Sequence, residues 1–544
     1  MVLEAGPAAP DEIRINIPGF RGSTLGSEYD WNFTTTAQAP LGQRSIDVNR
    51  GKVLGGSAAL NYLCYDRAAC AEYNAWGDLI GGSQWNWDKM LKAMTKSENY
   101  TGPDDGNKHG RSGPIRSRYG RLVPEFLWTW KPTLNKLGVA TNDKTYLSGS
   151  PVGVSFQTTN IDPTKNTRSN SFNSYLPLAG PNLVVSPNTK VAKVQFATAK
   201  TNGKLVASGV VLEDGTTIKA KKEVILSAGS IQSPGLLELS GIGQTTVLKA
   251  AKIPVLQDLP GVGENYQDHI RLSNVYKLKT NFTSFDPMIF QNTGPFASQE
   301  FQNYLDGKLS WYEYTSVAYT FLNWGQVFSN VKSKVSDLAK LAEKASTPKN
   351  VVDATKVAFL KDNSVPQMEI IMEANFVGAG AYPGANYTTL LSSVMHPMSR
   401  GNVHINPAAP LGKPIIDPKY LSNEYDLQAL IAGAQFSRKI SQTQPFASIW
   451  ESVEVEPGPN VQTDAQWREF AKNTMGSFYH PVGTCALLPQ KEAGVVDGSL
   501  TVYGTANLRV VDASIIPVIL SAHIQTAVYG IAEIAAEIII KASK

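Results

Sequence analysis

The sequence is poor in cysteine and has no apolar run that could cross a membrane. Its three cysteines, Cys64, Cys70 and Cys485, have neither paired metal-ligand spacing nor a C-x-x-C redox motif. The closest approach to a membrane span, residues 531–540, is interrupted by two glutamates and is shorter than the ~18 residues that a span needs. A cysteine metal site, a redox-active disulfide and a membrane span are therefore not predicted.

The sequence also lacks an excess of charge of either sign. Its 50 Lys and Arg residues against 46 Asp and Glu residues give a net charge of +4 over 544 residues, without a long basic run. Nucleic-acid binding thus has little electrostatic support. The composition, 42% hydrophobic and 18% charged, is typical of a soluble globular protein. The length allows two joined domains, each with its own core, and indicates nothing about oligomeric state.

The N-terminus has no features of a signal peptide. Residues 1–6, MVLEAG, have no positively charged start and become acidic at Glu4. Taken literally, this predicts a cytoplasmic protein. The alternative is a secreted protein whose signal peptide has been lost upstream of Met1.

Strand, turn and helix signals follow one another in the middle of the first half. Residues 183–226 have the pattern of a β-meander, with hairpin turns at Asn-Gly 202–203 and Asp-Gly 214–215. The apolar run 223–229, closed by glycine, suits a strand buried in a parallel sheet. A helix is predicted over 233–239, with its proline in the first turn. A strand, a glycine turn and a helix form the unit of a nucleotide-binding fold.

The pattern divides the chain into three regions. Residues 1–280 are mostly of the nucleotide-binding type. Residues 281–471 are richer in aromatics, contain a solvated amphipathic helix near 331–342, and are predicted to be mainly a substrate-binding domain. Residues 472–544 have the nucleotide-binding pattern again and end in a helix with an apolar face at 531–539.

Four segments combine glycines with polar residues that could bind or transform a ligand. They are GKVLGGSAALN at 51–61, GSIQSPGLLELSGIG at 229–243, PGVGENYQDH at 260–269, and HPVGT at 480–484 with its continuation VVDAS at 510–514 and HIQT at 523–526. Glycines let a backbone approach a ligand closely. A histidine has an ordinary pKa of ~6.5, which suits a general base near neutral pH.

Together these segments resemble the signatures of the glucose–methanol–choline (GMC) oxidoreductase family, in particular its fungal members. Two positions depart from the family pattern: Ala58 replaces a Ser or Thr, and Ile524 replaces the proline after the second histidine. The resemblance covers nearly the whole chain. It implies an α/β protein, α+β overall, with a discontinuous Rossmann-like domain that binds flavin adenine dinucleotide (FAD) and a substrate domain on an antiparallel sheet.

The resemblance implies an alcohol-oxidising enzyme with His480 as catalytic base and His523 as its partner. The base takes the hydroxyl proton, the partner holds the developing alkoxide, and FAD takes the hydride before oxygen or another acceptor takes the electrons. His269 is interpreted as a structural residue. No metal ligand is assigned. The residues assigned to the cofactor are Glu4, Val53, Ser57, Asn61, Val191, Asp512, Ala513 and Gln525.

The first strand and the G-x-G-x-x-G turn of such a nucleotide fold are missing from the sequence. Glu4 resembles the acidic residue that ends the second strand and binds the ribose, so ~30 residues would normally precede it. We therefore predict that the chain starts at an internal methionine and, as it stands, binds FAD weakly or not at all. Two alternatives stay open: non-redox lyase or cyclase chemistry on the same fold, and an FAD-free truncated pseudoenzyme. The substrate, and whether the enzyme is an oxidase or a dehydrogenase, are not predicted.

Overall fold

An antiparallel sheet of seven strands forms the centre of one half of the molecule. The computed structural model describes residues 1–346 and 350–542. Six strands follow one another across the sheet, and a seventh, Gly476–Ser477, pairs with the start of Ile270–Leu278. In spatial order the six are Trp450–Glu456, Ile270–Leu278, Tyr387–Val394, Met368–Glu373, Ala318–Leu322 and Gly153–Phe156. The predicted antiparallel sheet is thereby confirmed.

The two faces of this sheet have different neighbours. The helix Glu424–Ser441 covers one face, and the Met368–Glu373 strand buries Met368, Ile370 and Met372 in the same core as that helix. Successive strand residues point to opposite faces, so Glu369, Ile371 and Glu373 point the other way. Buried carboxylates on one face of a strand therefore mark the side on which a polar site lies.

The other half contains short parallel pairs and a three-stranded meander. Val2–Leu3 pairs with Val185–Ser186, and Val224–Leu226 pairs with Leu508–Val510. These two pairs are not hydrogen-bonded to each other within the described residues. The meander is confirmed as Val191–Phe196, Ala207–Leu212 and Thr217–Lys219, and Asn202, Gly203 and Gly215 have the positive φ values that its turns require.

The helix after Val224–Leu226 begins earlier than predicted. It spans Gly229–Leu239, so Pro234 lies inside the helix rather than in its first turn. Proline removes the hydrogen bond that would reach back to the carbonyl of Ser230. The Thr484 hydroxyl donates to that carbonyl instead, at 2.6 Å. The HPVGT segment therefore satisfies a backbone group that the helix leaves free.

The boundary at 281–471 is not a boundary of the antiparallel sheet. Gly153–Phe156 and Ile270–Leu278 precede this region and Gly476–Ser477 follows it, yet all three are strands of the sheet. The physical reason is that a sheet grows by pairing with strands that are near in space, whatever their separation in sequence. The domain limits read from composition stay a prediction, and the sheet crosses them.

The remaining helices surround the two halves. The amphipathic helix predicted near 331–342 is present as Lys332–Ala345, and the closing helix is Gln525–Ala542, packed against Trp87–Ser97. The other helices of seven or more residues are Cys70–Ile80, Trp130–Lys136, Pro295–Leu305, Val351–Lys361 and Asp464–Thr474. No helix within residues 1–346 and 350–542 combines the length and apolar character needed to cross a bilayer.

Candidate active site

A cavity of about 1450 Å³ lies between the two halves and receives residues from both. The parallel pairs contribute residues near Leu3 and Ile225, and the antiparallel sheet contributes its carboxylate-bearing face, including Glu373. His480 and His523 both line it. Pockets for small molecules usually measure ~300–1,000 Å³, so this space exceeds what a small substrate alone would fill.

The cavity brings together most of the residues that the sequence assigned to the cofactor. Val53 is the exception, since its side chain is fully buried in a separate apolar cluster with Ile15, Ala59 and Leu60. A contact between the Val53 side chain and a ligand in the cavity is therefore not supported by the structure. Those that line the cavity are Glu4, Ser57, Asn61, Val191, Asp512, Ala513 and Gln525.

Asp512 fixes the turn that faces the cavity. One carboxylate oxygen accepts hydrogen bonds from the Gly229 backbone N–H at 2.9 Å and from the Ser233 hydroxyl. The other accepts from the Ser514 N–H at 2.8 Å. Asp512 thus joins the end of the Leu508–Val510 strand to the start of the Gly229–Leu239 helix. Its direct contact with a cofactor stays a prediction.

Asn61 and Gln525 join the glycine-rich loop to the closing helix. The side-chain amide nitrogen of Asn61 donates to Oε1 of Gln525 at 2.7 Å. The Oδ1 atom of Asn61 accepts a hydrogen bond from Arg168 at 2.6 Å. The Gln525 amide donates to the Cys64 carbonyl at 3.1 Å and to Asn160 at 3.2 Å. These bonds hold the loop and the helix beside the same part of the cavity.

The backbone around His480 is held in an unusual conformation. The preceding residue, Tyr479, has φ of +62°, a left-handed conformation that costs free energy for a non-glycine residue. The His480 N–H donates to one oxygen of the buried Asp268 at 2.8 Å, and the hydroxyls of Ser477 and Tyr420 donate to the other. Asp268 therefore holds the strained segment that presents His480 to the cavity.

A chain of hydrogen bonds fixes the tautomer of His480. The Nε2 atom of His269 lies 3.1 Å from the carbonyl oxygen of Met395, and a carbonyl can only accept, so Nε2 carries the proton. In the neutral ring, the Nδ1 of His269 is then an acceptor, and it lies 2.9 Å from the Nδ1 of His480. His480 must therefore carry its proton on Nδ1. Its Nε2 is left with a free lone pair, as a base requires.

His523 has a different environment, built from carboxylates. Its Nδ1 donates to one oxygen of Asp66 at 2.8 Å, and its backbone N–H donates to the other at 2.9 Å. Glu369 lies beside it, with Oε1 at 3.7 Å from Nδ1 and without a hydrogen-bond partner in the described part of the chain. Asp66, Glu369 and His523 lie close enough together to hold a metal ion. When its ring is protonated, His523 is itself a cation, and the two carboxylates lie beside it.

The two histidines have opposite protonation preferences. Burial lowers the pKa of His480 well below its ordinary value, and the neighbouring His269, His523 and Arg50 lower it further. For His523, burial acts in the same direction, but electrostatic interactions with Cys64, Glu369 and Asp66 outweigh it and raise its pKa well above the ordinary value. A neutral base and a cationic donor therefore lie side by side at neutral pH.

The geometry of the two rings allows both to reach one substrate group. Their centroids are 5.2 Å apart and their planes are nearly perpendicular, at 89°. The ring of Phe478 stacks on His480 at 6.0 Å and meets His523 edge-on at 6.3 Å. Within the described residues, no protein group is hydrogen-bonded to the Nε2 atom of either histidine. Both atoms are therefore free to bind a ligand.

Sequence reasoning missed three of these groups. His269 was interpreted as structural, and neither Asp66 nor Glu369 was singled out. Burial lowers the pKa of His269 to about 3, so it stays neutral and can act as an acceptor. Burial and Asp66 raise the pKa of Glu369 to about 7, although His523 opposes this. The available signal was the alternation of MEIIME at 368–373, which places glutamates in an otherwise apolar strand.

The cavity fits the FAD cofactor that the family resemblance implies. Gly56 and Gly229 line it with φ of +56° and +80°, and a Cβ added to either would meet no atom within 4 Å. Backbone is thus exposed directly to a ligand at two places. The buried hydroxyl of Ser230 also lines the cavity and has no hydrogen-bond partner in the described residues. Such an unpaired polar atom suits a polar cofactor.

Comparisons with known proteins show the family of this chain. The GMC oxidoreductase family models match residues 19–271 and residues 397–532. A GMC oxidoreductase family protein of Malassezia sympodialis is 34% identical over 99% of this chain and 88% of its own. A pyranose dehydrogenase of Agaricus campestris is 31% identical over 99% of this chain and 89% of its own.

Solved structures give the same result. An FAD-dependent oxidoreductase from Chaetomium thermophilum has a TM-score of 0.88 and 28% identity, covering 100% of this chain and 94% of its own. A formate oxidase has a TM-score of 0.85 and 26% identity, covering 99% and 93%. These likenesses confirm the predicted fold, the predicted cofactor and the prediction of an enzyme. The chain belongs to the GMC oxidoreductase family and is an FAD-dependent oxidoreductase.

Proposed function

We propose that this enzyme oxidises the CH–OH group of an alcohol to a carbonyl, with His480 as general base and His523 as a cationic hydrogen-bond donor. The observation that carries the proposal is the position of the two imidazole rings, which line one cavity with their centroids 5.2 Å apart. Their surroundings lower the pKa of His480 and raise that of His523. An alcohol that loses hydride needs both a proton acceptor and a group that stabilises negative oxygen. The two histidines supply one each.

The roles follow from the hydrogen bonds of each ring. His480 directs its Nε2 lone pair to the cavity because His269 occupies its Nδ1. His523 presents an Nε2–H because Asp66 holds the proton on Nδ1 and the ring is protonated. The substrate oxygen accepts from His523 as its proton passes to His480. Bound FAD supplies the acceptor for the hydride, and oxygen or another acceptor takes the electrons from it.

Relatives that are named as oxidases or dehydrogenases support this proposal. Besides the pyranose dehydrogenase, a pyridoxine 4-oxidase structure is 27% identical with a TM-score of 0.78. Each name describes that protein, and they share the oxidation of a small organic molecule. None of them fixes the substrate of this chain.

The test is anaerobic mixing of the FAD-loaded protein with a panel of primary and secondary alcohols. We expect at least one alcohol to bleach the flavin absorbance, and deuterium on its carbinol carbon to slow the bleaching. Conversion of an alcohol without bleaching would favour non-redox chemistry instead. A protein that neither binds FAD nor is bleached would favour the pseudoenzyme.

A further inference from the structure

An arginine of the cavity has no acidic partner. Arg271 lines the cavity and lies near the start of the Ile270–Leu278 strand, two residues after His269. The Phe478 N–H donates to the His269 carbonyl at 3.0 Å, so the ladder of this strand extends back to His269. Residues two apart in a strand share a face. Arg271 therefore lies on the same face as the histidine that contacts His480.

The guanidinium of Arg271 makes few contacts with the protein. One nitrogen donates to the Ser273 hydroxyl at 3.2 Å, and the guanidinium carbon lies 5.9 Å from the Phe478 ring centre. Its cross-strand neighbour is Gly476, which has no side chain to cover it. Among the described residues, no carboxylate lies within ion-pair distance of Arg271.

The other arginines that line the cavity each donate two side-chain hydrogen bonds, although only one of them has an acidic partner. Arg21 forms an ion pair with Glu373 at 3.0 Å and donates to the Ser316 hydroxyl at 2.7 Å. Arg50 donates to backbone carbonyls, among them that of Tyr479. A partly buried cation without an acidic partner has lost hydration that the protein does not replace. Arg271 is therefore prepared to receive an anion from the cavity.

The position of Arg271 relates this anion to the reaction. The Phe478 ring lies under the guanidinium and also stacks on His480 at 6.0 Å. The guanidinium and the ring of His480 therefore both contact the same phenyl ring, which brings the cation close to the proposed base. A planar guanidinium binds a carboxylate through two parallel N–H···O bonds, a geometry that a lysine cannot reproduce.

We propose that Arg271 binds the carboxylate of the substrate, so that the enzyme acts on hydroxy acids. This inference rests on the proposed function. The CH–OH carbon loses a hydride to FAD and its hydroxyl loses a proton to His480, which leaves a carbonyl. The carboxylate of the substrate is unchanged by the reaction.

The test compares (hydroxymethyl)benzoates with the matching (hydroxymethyl)benzamides, in the meta and para series. A charge-assisted hydrogen bond is worth enough to change binding ~10–100-fold. We expect Arg271→Gln to lower the acid-to-amide ratio of kcat/KM by that factor. The matched control is Lys277→Gln, which removes a positive charge from the same strand at a site paired with Glu451 outside the cavity. This control should keep the wild-type ratio.

A second measurement does not depend on turnover. Isothermal titration calorimetry should detect benzoate binding to the wild-type protein and to Lys277→Gln, with binding by Arg271→Gln ~10–100-fold weaker. Oxidation of neutral alcohols together with no binding of benzoate would overturn this inference and leave the proposed function intact. Arg271-dependent binding of benzoate by a protein that no alcohol bleaches would support the anion site and contradict the proposed function. Equal losses of kcat/KM for the acid and the amide in Arg271→Gln would also overturn the inference that Arg271 binds a carboxylate.

Discussion

Two substitutions of His269 separate its role toward the catalytic base from its role in the fold. Asparagine places its amide near the position of Nδ1, which contacts His480 at 2.9 Å. Glutamine places its amide near the position of Nε2, which contacts the Met395 carbonyl at 3.1 Å. His269→Asn therefore keeps an acceptor for His480, whereas His269→Gln keeps the bond to the backbone and leaves the Nδ1–H of His480 unpaired.

The magnitude follows from the bond that each variant loses. An unpaired buried donor costs ~1–3 kcal/mol. In His269→Gln this cost destabilises the orientation of His480 in which Nε2 acts as the base, so flavin reduction should slow ~5–150-fold. His269→Asn should retain most of the rate, although both variants lose similar thermal stability. The assay is anaerobic stopped-flow flavin reduction, with FAD content and thermal unfolding measured on the same samples. Equal rates in the two variants would refute the argument that His269 sets the tautomer.

Three further predictions concern neighbouring groups. Because the pKa of His480 is lowered, the ring should stay neutral below the ordinary histidine pKa. The rate of flavin reduction should therefore not fall as the pH is lowered through 6.5. Because the pKa of His523 is raised, its cation is present below that value and lost as pH rises, so Asp66→Asn should move the alkaline fall in this rate to lower pH. Thr484→Val should lower the free energy of unfolding by ~1–3 kcal/mol, measured by chemical denaturation, because the Ser230 carbonyl loses its donor.

Features encoded in contiguous segments could be predicted from the sequence. The turns at 202–203 and 214–215 were predictable because Asn-Gly and Asp-Gly adopt the backbone conformations of tight hairpins. The segments 480–484 and 523–526 pointed to His480 and His523 through their resemblance to a family, and the structure places both in one cavity. Local chemistry or a specific motif was present in each case.

Features that depend on distant contacts could not be predicted. Asp66 and His523 are separated by 457 residues, and His269 and His480 by 211. Nothing in their own segments indicates that these side chains meet. The start of the Gly229–Leu239 helix was missed for a similar reason, since its internal proline is accommodated by a hydroxyl some 250 residues away. Only the folded chain brings these partners together.

Flavin reduction in His480→Ala tests the central claim most directly. The FAD-loaded variant and the wild-type protein are mixed anaerobically with an alcohol that bleaches the wild-type flavin, and the rates are followed by stopped flow. Loss of a general base should slow reduction by ~10²–10⁴-fold. FAD content should be nearly unchanged, and His523→Asn should be far milder, because an amide still donates a hydrogen bond. Reduction of the His480→Ala flavin at close to the wild-type rate would contradict the assignment of His480 as the base.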